Sequence, residues 1–378
     1  MTTMERGIRR NDMSKILKNP SKYVQGPGVL REFDRYLQGM GKRLLILISQ
    51  SGTKRICPTL EVCFADKPDY TLHYEVFRGE CSQNQIDRLA AVCREQDCTA
   101  VVGIGGGKIL DTAKGVAYDA GLPVIIVPTV ASTDSPCSSL SVVYRDSGEF
   151  ERYLFLDHCP DMVLVDTEVI AKAPVKLLVA GMGDAMATWF EARACRTSGK
   201  DNQVHGKPTR AATGLAAMCW DYLRQYGPQA KRDVENGVCS EAVETIVEVN
   251  TYLSSVGFES GGLAAAHAIQ KGFTFIPQLH EQYHGNKVAF CTLTQLVLEN
   301  APAEEVEAVL DFCCEVGLPV CFADMDYPEV DHSLLRLAAE KACVVGSTIH
   351  NLPFPVTADM VYDALVRADE LGAAHKRK

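Results

Sequence analysis

No stretch of this 378-residue chain comes near the ~18–20 consecutive apolar residues that a membrane-spanning helix requires, so a membrane role is not expected. An excess of basic residues is also missing. With 38 Lys and Arg against 48 Asp and Glu the formal charge is −10, which argues against a nucleic-acid backbone as partner. An anionic cofactor stays open, because phosphate binding depends on local donors. The 15 cysteines include no Cys-x-x-Cys pair and are odd in number, so a disulfide framework is not expected. They read instead as reduced, small apolar side chains of a cytoplasmic protein. Residues 1–15 are charged and lack an apolar segment, so no secretory leader is expected there, and residues 1–19 read as a loose extension. Internal repeats and low-complexity segments are absent, as are the Gly-x-Gly-x-x-Gly and Walker spacings.

What is present is enough chain for two well-filled domains, 47% apolar and 23% charged. The stretch from Ala100 to Lys114 organises it. A short apolar run suited to a buried strand passes through Gly105, Gly106 and Gly107. Ile109, Ala113, Val116 and Ala117 then recur at helical spacing. A helix that starts directly after a strand leaves its first N–H groups pointing outward, and with the helix dipole these form a seat for phosphate oxygens. Glycine allows close approach of a pyrophosphate and a positive φ. Lys108 adds charge at the mouth, and Asp111 is placed in the first helical turn, where the dipole favours a carboxylate. The plainer alternative is a tight strand-to-helix connection with no ligand.

Around this stretch the periodicity predicts strands at 44–48, 71–77, 124–127 and a pair at 142–144 and 153–155 turning at Ser147-Gly148, with a helix at 83–96. Strands alternating with helices imply a mostly parallel sheet covered on both faces. After Pro174 the pattern becomes helical throughout, over 176–196, 209–226, 242–256, 263–273, 287–299, 304–316, 334–343 and 358–371. The expected architecture is an α/β Rossmann-like domain over residues 20–172 and an all-α helical domain over 173–378, with a ligand in the cleft between them.

Four further segments carry chemistry. The segment Pro128–Ser139 leaves the C-terminal end of a buried strand, where ligands sit in open α/β sheets. It offers Thr129, Ser132, Ser138 and the carboxylate of Asp134, although such residues also serve as turn formers. Asp184 lies in a helical stretch with almost no other charge before Glu191, and a buried unpaired carboxylate needs a cation or strong donors. His267 follows a run of small residues, and His284 opens the next helix. One carboxylate and two imidazoles from three helices make a candidate three-ligand site for a divalent metal, with a fourth position open to substrate. Taken singly, each has a structural alternative as a kink cap or a hydrogen-bonded core histidine.

Together, GIGGGKILDTAK (103–114), PTVASTDSPCSSLSVVY (128–144), VLVDTEVIAKAP (163–174), AGMGDAMATWFEARAC (180–195), GFESGGLAAAHAI (257–269) and YHGNKVAF (283–290) resemble the glycerol dehydrogenase family of the iron-containing alcohol dehydrogenase superfamily. The resemblance covers nearly the whole chain after about Pro20. It implies a dehydroquinate synthase-like, two-domain fold, NAD in the cleft, a Zn2+ ion, a small polyol substrate and a homo-oligomer. Motif by motif, it implies Asp184, His267 and His284 as metal ligands and Asp134 beside the substrate hydroxyls. It also implies a cofactor site at Gly107, Lys108, Asp111, Thr129, Ser132, Ser138, Leu140 and Tyr144. The implied reaction is reversible hydride transfer from C2 of glycerol to nicotinamide, with the dication as Lewis acid. The alternatives are a dehydrogenase of another small vicinal diol and a silent nucleotide-binding relative.

Three positions bear on that resemblance. Iron-type members carry a histidine four residues after the metal aspartate; here it is Thr188, which fits the zinc type. Where a carboxylate usually follows the first strand to hold the adenosine ribose, this chain has Ser49, then Gln50 and Ser51. Lys54 and Arg55 stand nearby, so NADP use stays open beside NAD. Gln270 replaces a further histidine.

Overall fold

The computed structural model describes residues 14–377. Among the described residues eight strands occur: β1 (Tyr23–Gly26), β2 (Arg43–Ser49), β3 (Thr71–Phe77), β4 (Ala100–Gly105), β5 (Val124–Pro128), β6 (Leu140–Tyr144), β7 (Phe150–Phe155) and β8 (Met162–Asp166). Six of them form one wholly parallel sheet in the order β1-β8-β5-β4-β2-β3, while β6 and β7 make a separate antiparallel hairpin. Helices α1 (Phe33–Tyr36), α2 (Gln50–Phe64), α3 (Gln83–Glu95), α4 (Gly107–Ala120) and α5 (Thr167–Ala171) accompany them.

Alternate side chains of β2 explain the layering. Leu44, Ile46 and Ile48 face one side with Ile56, Leu60 and Phe64 of α2, whereas Leu45 and Leu47 face the other with residues of α3 and α4. Strands buried on both faces read as unbroken apolar runs, as Leu44–Ile48 does. At Gly103 an added Cβ would stand 2.6 Å from Ala113 Cβ, so glycine is what lets α4 lie directly on β4. The strand order reverses between β2 and β4, and the crevice at their C-terminal ends is the ligand position of such sheets.

Beyond this sheet the chain is helical. The helices are α6 (Val175–Ser198), α7 (Arg210–Glu235), α8 (Glu241–Glu248), α9 (Ser254–Gly261), α10 (Ala265–Gly272), α11 (His284–Leu298), α12 (Ala303–Val316), α13 (His332–Ala342) and α14 (Ala358–His375). Helix α6 is buried on nearly all sides from Leu178 to Cys195, as the central helix of a bundle must be. Among the described residues no helix is long and apolar enough to cross a membrane. All fifteen cysteines are free.

Several details differ from the sequence-based expectation. Helix α2 was not predicted, because its stripe of Ile56, Leu60 and Phe64 is sparse and Pro58 sits inside it. Helix α7 runs on through Pro228 to Glu235. The helix expected over 242–256 is broken by a π-helical turn, Val249–Leu253, whose Asn250 Nδ2 donates to Ala131 O (2.9 Å) and Leu178 O (3.0 Å). Of the segment expected to be loose, residues 1–13 lie outside the described residues. The remainder is tied down: Ile16 N donates to Lys207 O, and Lys18 donates from Nζ to Leu156 O and from its main-chain N to Ser260 Oγ.

Candidate active site

Strand β4 ends at Gly105, and α4 begins at Gly107 with no side chain capping it at Gly106. None of Gly105, Gly106 and Gly107 adopts a positive φ, so the expected conformational reason for glycine is corrected here. The reason is space. A Cβ on Gly105 would collide with Ile109, whereas one on Gly107 would meet no protein atom within 4 Å. The ground in front of Gly107 is open for a ligand, at the positive end of a 14-residue helix. Lys108 is exposed at this mouth and is paired with Glu80 at 2.5 Å.

Asp111 stands in the second turn of α4, not the first, and its carboxylate is fully engaged by protein. Oδ1 accepts from Ser135 Oγ (3.1 Å) and Oδ2 from Val142 N (3.0 Å), so hydrogen bonds rather than the helix dipole account for it. Ser138 Oγ is likewise turned inward, between Ser135 O and Lys114 Nζ. Thr129 is buried where its N–H meets Gly105 O (2.9 Å), while Ser132, Leu140 and Tyr144 are half-buried along the same segment. Ser49 caps α2, its Oγ accepting from Gly52 N at 3.0 Å, across the β2–β4 crevice from the glycines.

The helical half supplies the second cluster. Helices α6 and α11 cross at Gly183 and Gly285, and a Cβ on either would strike the backbone of the opposite helix. That contact sets His284, the first residue of α11, beside Asp184 of α6. His267 arrives from α10. The imidazole Nε2 atoms of His267 and His284 lie 3.4 and 3.2 Å from Asp184 Oδ1, and one ligand atom from each residue falls within 4.8 Å of the others. Asp184 is wholly buried, yet its Oδ1 is in hydrogen-bond geometry with no group among the described residues. Three ligands bound at 2.0–2.2 Å in a tetrahedron stand about 3.3–3.6 Å apart. Two of the observed separations match or nearly match that edge, and the donor set of one carboxylate and two imidazoles suits zinc and its first-row neighbours. The His284 side chain is 38% exposed, so the cluster is open on one side.

The segment after β5 reaches this cluster directly: Asp134 N donates to Asp184 Oδ2 at 3.1 Å. Asp134 Oδ2 is a second buried carboxylate oxygen without a partner among the described residues. Burial, reinforced by the charge of Asp184, pushes the Asp134 carboxyl well above its ordinary range. Burial would raise Asp184 too, but the two imidazoles outweigh it and hold that carboxyl low. For His267 burial opposes the proton, and Glu191 with Asp184 more than offsets this and raises it. A dication among them acts in the opposite sense, expelling the proton from His267 and favouring carboxylates.

Glu191 was not singled out from the sequence. It is fully buried, accepts from the main-chain N–H of Ala264 (2.9 Å) and His267 (3.0 Å), and meets His267 Nδ1 at 2.5 Å. A carboxylate there fixes the ring so that Nε2 faces the cluster. Its signal is a charge seven residues after Asp184, two turns along an otherwise apolar helix. Thr188 bonds to Ser254 Oγ at 2.8 Å instead of facing the cluster, and Gln270 is buried one turn beyond His267.

The chain as a whole is similar to known proteins. A family model described as "Iron-containing alcohol dehydrogenase" matches residues 20–167. The chain is 50% identical over 360 residues to a glycerol dehydrogenase of Escherichia coli O6:H1, covering 95% of this chain and 98% of that protein. It is 48% identical over the same shares to a glycerol dehydrogenase of Citrobacter freundii. The crystal structure of glycerol dehydrogenase from Schizosaccharomyces pombe superposes with a TM-score of 0.92 at 34% identity, over 97% of this chain and 93% of that one.

Proposed function

This chain belongs to the iron-containing alcohol dehydrogenase family, and from that premise we propose that its two clusters work as one site: the chain is an NAD-dependent glycerol dehydrogenase that moves hydride reversibly between C2 of glycerol and nicotinamide, giving dihydroxyacetone. The observation that carries the metal half of this reading is Asp184 Oδ1, a buried anionic oxygen between two imidazoles with no hydrogen-bond partner among the described residues. Asp184, His267 and His284 would hold a divalent cation, and the three-ligand set with Thr188 four residues on favours zinc. When bound, that cation supplies the Lewis acidity that makes an alcohol a readier hydride donor.

The chain's own residues do the rest. Glu191 holds His267 in the tautomer that presents a lone pair to the cluster. Asp134 Oδ2 is free to accept a hydrogen bond from a hydroxyl of the polyol. Gly105, Gly106 and Gly107 open the N-terminal end of α4 to the pyrophosphate, with Lys108 at its rim, and Thr129, Ser132, Leu140 and Tyr144 line the way toward Asp134. The inward-facing Asp111 and Ser138 support that segment from behind. When bound, the nicotinamide would supply the acceptor for the hydride of C2, hydrogen and electron pair together, and the open side at His284 would give the hydroxyl proton a way out to water.

We further assign the chain to the cytoplasm on its fifteen free thiols, and to a homo-oligomer on the family resemblance. We place the division between its α/β and helical domains at residue 172. Purified protein given glycerol and NAD should form NADH and carry about one zinc per chain. Metal-free protein that turns over at the full rate would sink the reading, and light scattering checks the assembly.

A further inference from the structure

The mechanism above leaves unused the most deeply buried lysine among the described residues. Lys114 is 1% exposed, on the helix whose first residues form the glycine turn. An ammonium taken out of water must find acceptors for its three protons. Nζ donates to Ser135 O (2.6 Å), Leu140 O (3.0 Å) and Ser138 Oγ (3.3 Å), with Asp111 Oδ1 at 3.6 Å. Asp111, one turn earlier, accepts from Ser135 Oγ and Val142 N through its carboxylate and from Ser141 Oγ (3.0 Å) through its carbonyl. Two neighbouring side chains and one carbonyl of α4 thus grip five residues between 135 and 142.

That segment is held from its other side by the helical half. Asp134 N donates to Asp184 Oδ2, Asp134 O accepts from Ser255 Oγ, and Ser139 N donates to Glu259 Oε1 at 2.8 Å. It is therefore the piece of chain that meets both the cofactor helix and the metal-ligand helix. A neutral apolar residue at 114 would keep the packing but take the ammonium's hydrogen bonds from Ser135 O and Leu140 O, leaving Ser138 to bond them, and would strip Asp111 of its countercharge.

We propose that Lys114 is a positioning residue for hydride transfer: with Asp111 it sets the height of segment 134–142 over the glycine turn, and so the distance at which C2 of the alcohol meets the nicotinamide. This rests on the reading given under Proposed function. Hydride transfer is steep in distance, and a misplacement of about 1 Å costs on the order of 100-fold in rate.

The test replaces both charges together, Asp111→Asn with Lys114→Met, so that no unpaired charge is left buried. A second variant, Ser135→Ala, removes one grip and leaves the ion pair intact. Steady-state kinetics with glycerol deuterated at C2 should show kcat about 100-fold lower in the double variant, with the isotope effect enlarged because C–H cleavage has become slowest. Ser135→Ala should fall less, in the same direction. Zinc content and the NADH dissociation constant from fluorescence titration should stay within about threefold of wild type in both. If melting temperature drops while kcat and the isotope effect hold, Lys114 is only a staple and the proposal is overturned; if the double variant does not fold, an unchanged isotope effect in Ser135→Ala overturns it equally. A wild-type enzyme that binds NADH but fails to oxidise glycerol sinks the parent reading, and shows itself before any substitution is made.

Discussion

The two ends of this site are built in opposite ways. The glycine turn is assembled from consecutive residues, with strand, turn and helix inside 100–120. The candidate metal cluster is gathered from three helices, with side chains as far apart in sequence as Asp184 and His284, and is backed by a carboxylate, Glu191, that meets it through His267. A local seat tolerates change around it, because its donors are main-chain atoms fixed by one helix. A gathered cluster depends on how separate helices pack, above all on the Gly183–Gly285 crossing.

This contrast can be broken or sharpened by substitution. The largest effect is expected from His267→Ala. It removes a proposed ligand and should cost on the order of 1000-fold or more in turnover, with the bound metal lost on dialysis while circular dichroism keeps its helical signal. Glu191→Gln should weaken zinc binding about 10–100-fold, read by competition with a chromophoric chelator, although the residue never touches the ion. At the other end, Gly107→Ala adds a methyl that meets no protein atom within 4 Å. The melting temperature should hold or rise slightly, while KM for NAD rises about tenfold and zinc is retained. If that variant loses its zinc, the two ends are not as separable as their construction implies. The smallest change is expected from Ser49→Asp. Aspartate caps α2 as well as serine does, so stability holds, and a carboxylate near the ribose should lower NADP use relative to NAD by about tenfold.

The same contrast explains what could be read from the sequence. Strand periodicity marked β3 at 71–77, the residues the structure shows, because its flanking turn signals are local. The three glycines and the following helix were legible for the same reason. The positive φ expected there was not found, since backbone angles at a strand-to-helix turn are set by what packs beneath, here Ile109. Asp184, His267 and His284 stood out singly, through charge in apolar surroundings, but nothing in their spacing shows that their side chains converge. Glu191 stayed hidden because its role is defined by a partner 76 positions away. The inward turn of Asp111 and Ser138 was invisible for a related reason. Their partners, Val142 and Lys114, come into reach only once β6 has folded back over α4.

His284 stands at the very start of its helix with more than a third of its side chain facing water. A ligand anchored at such an edge would leave the proposed ion a doorway to the bulk liquid, so its identity would answer to the trace elements of the medium as well as to affinity. Cultures grown in different broths should yield batches of unequal specific activity. Dialysing those batches against one common zinc buffer should bring them to the same value.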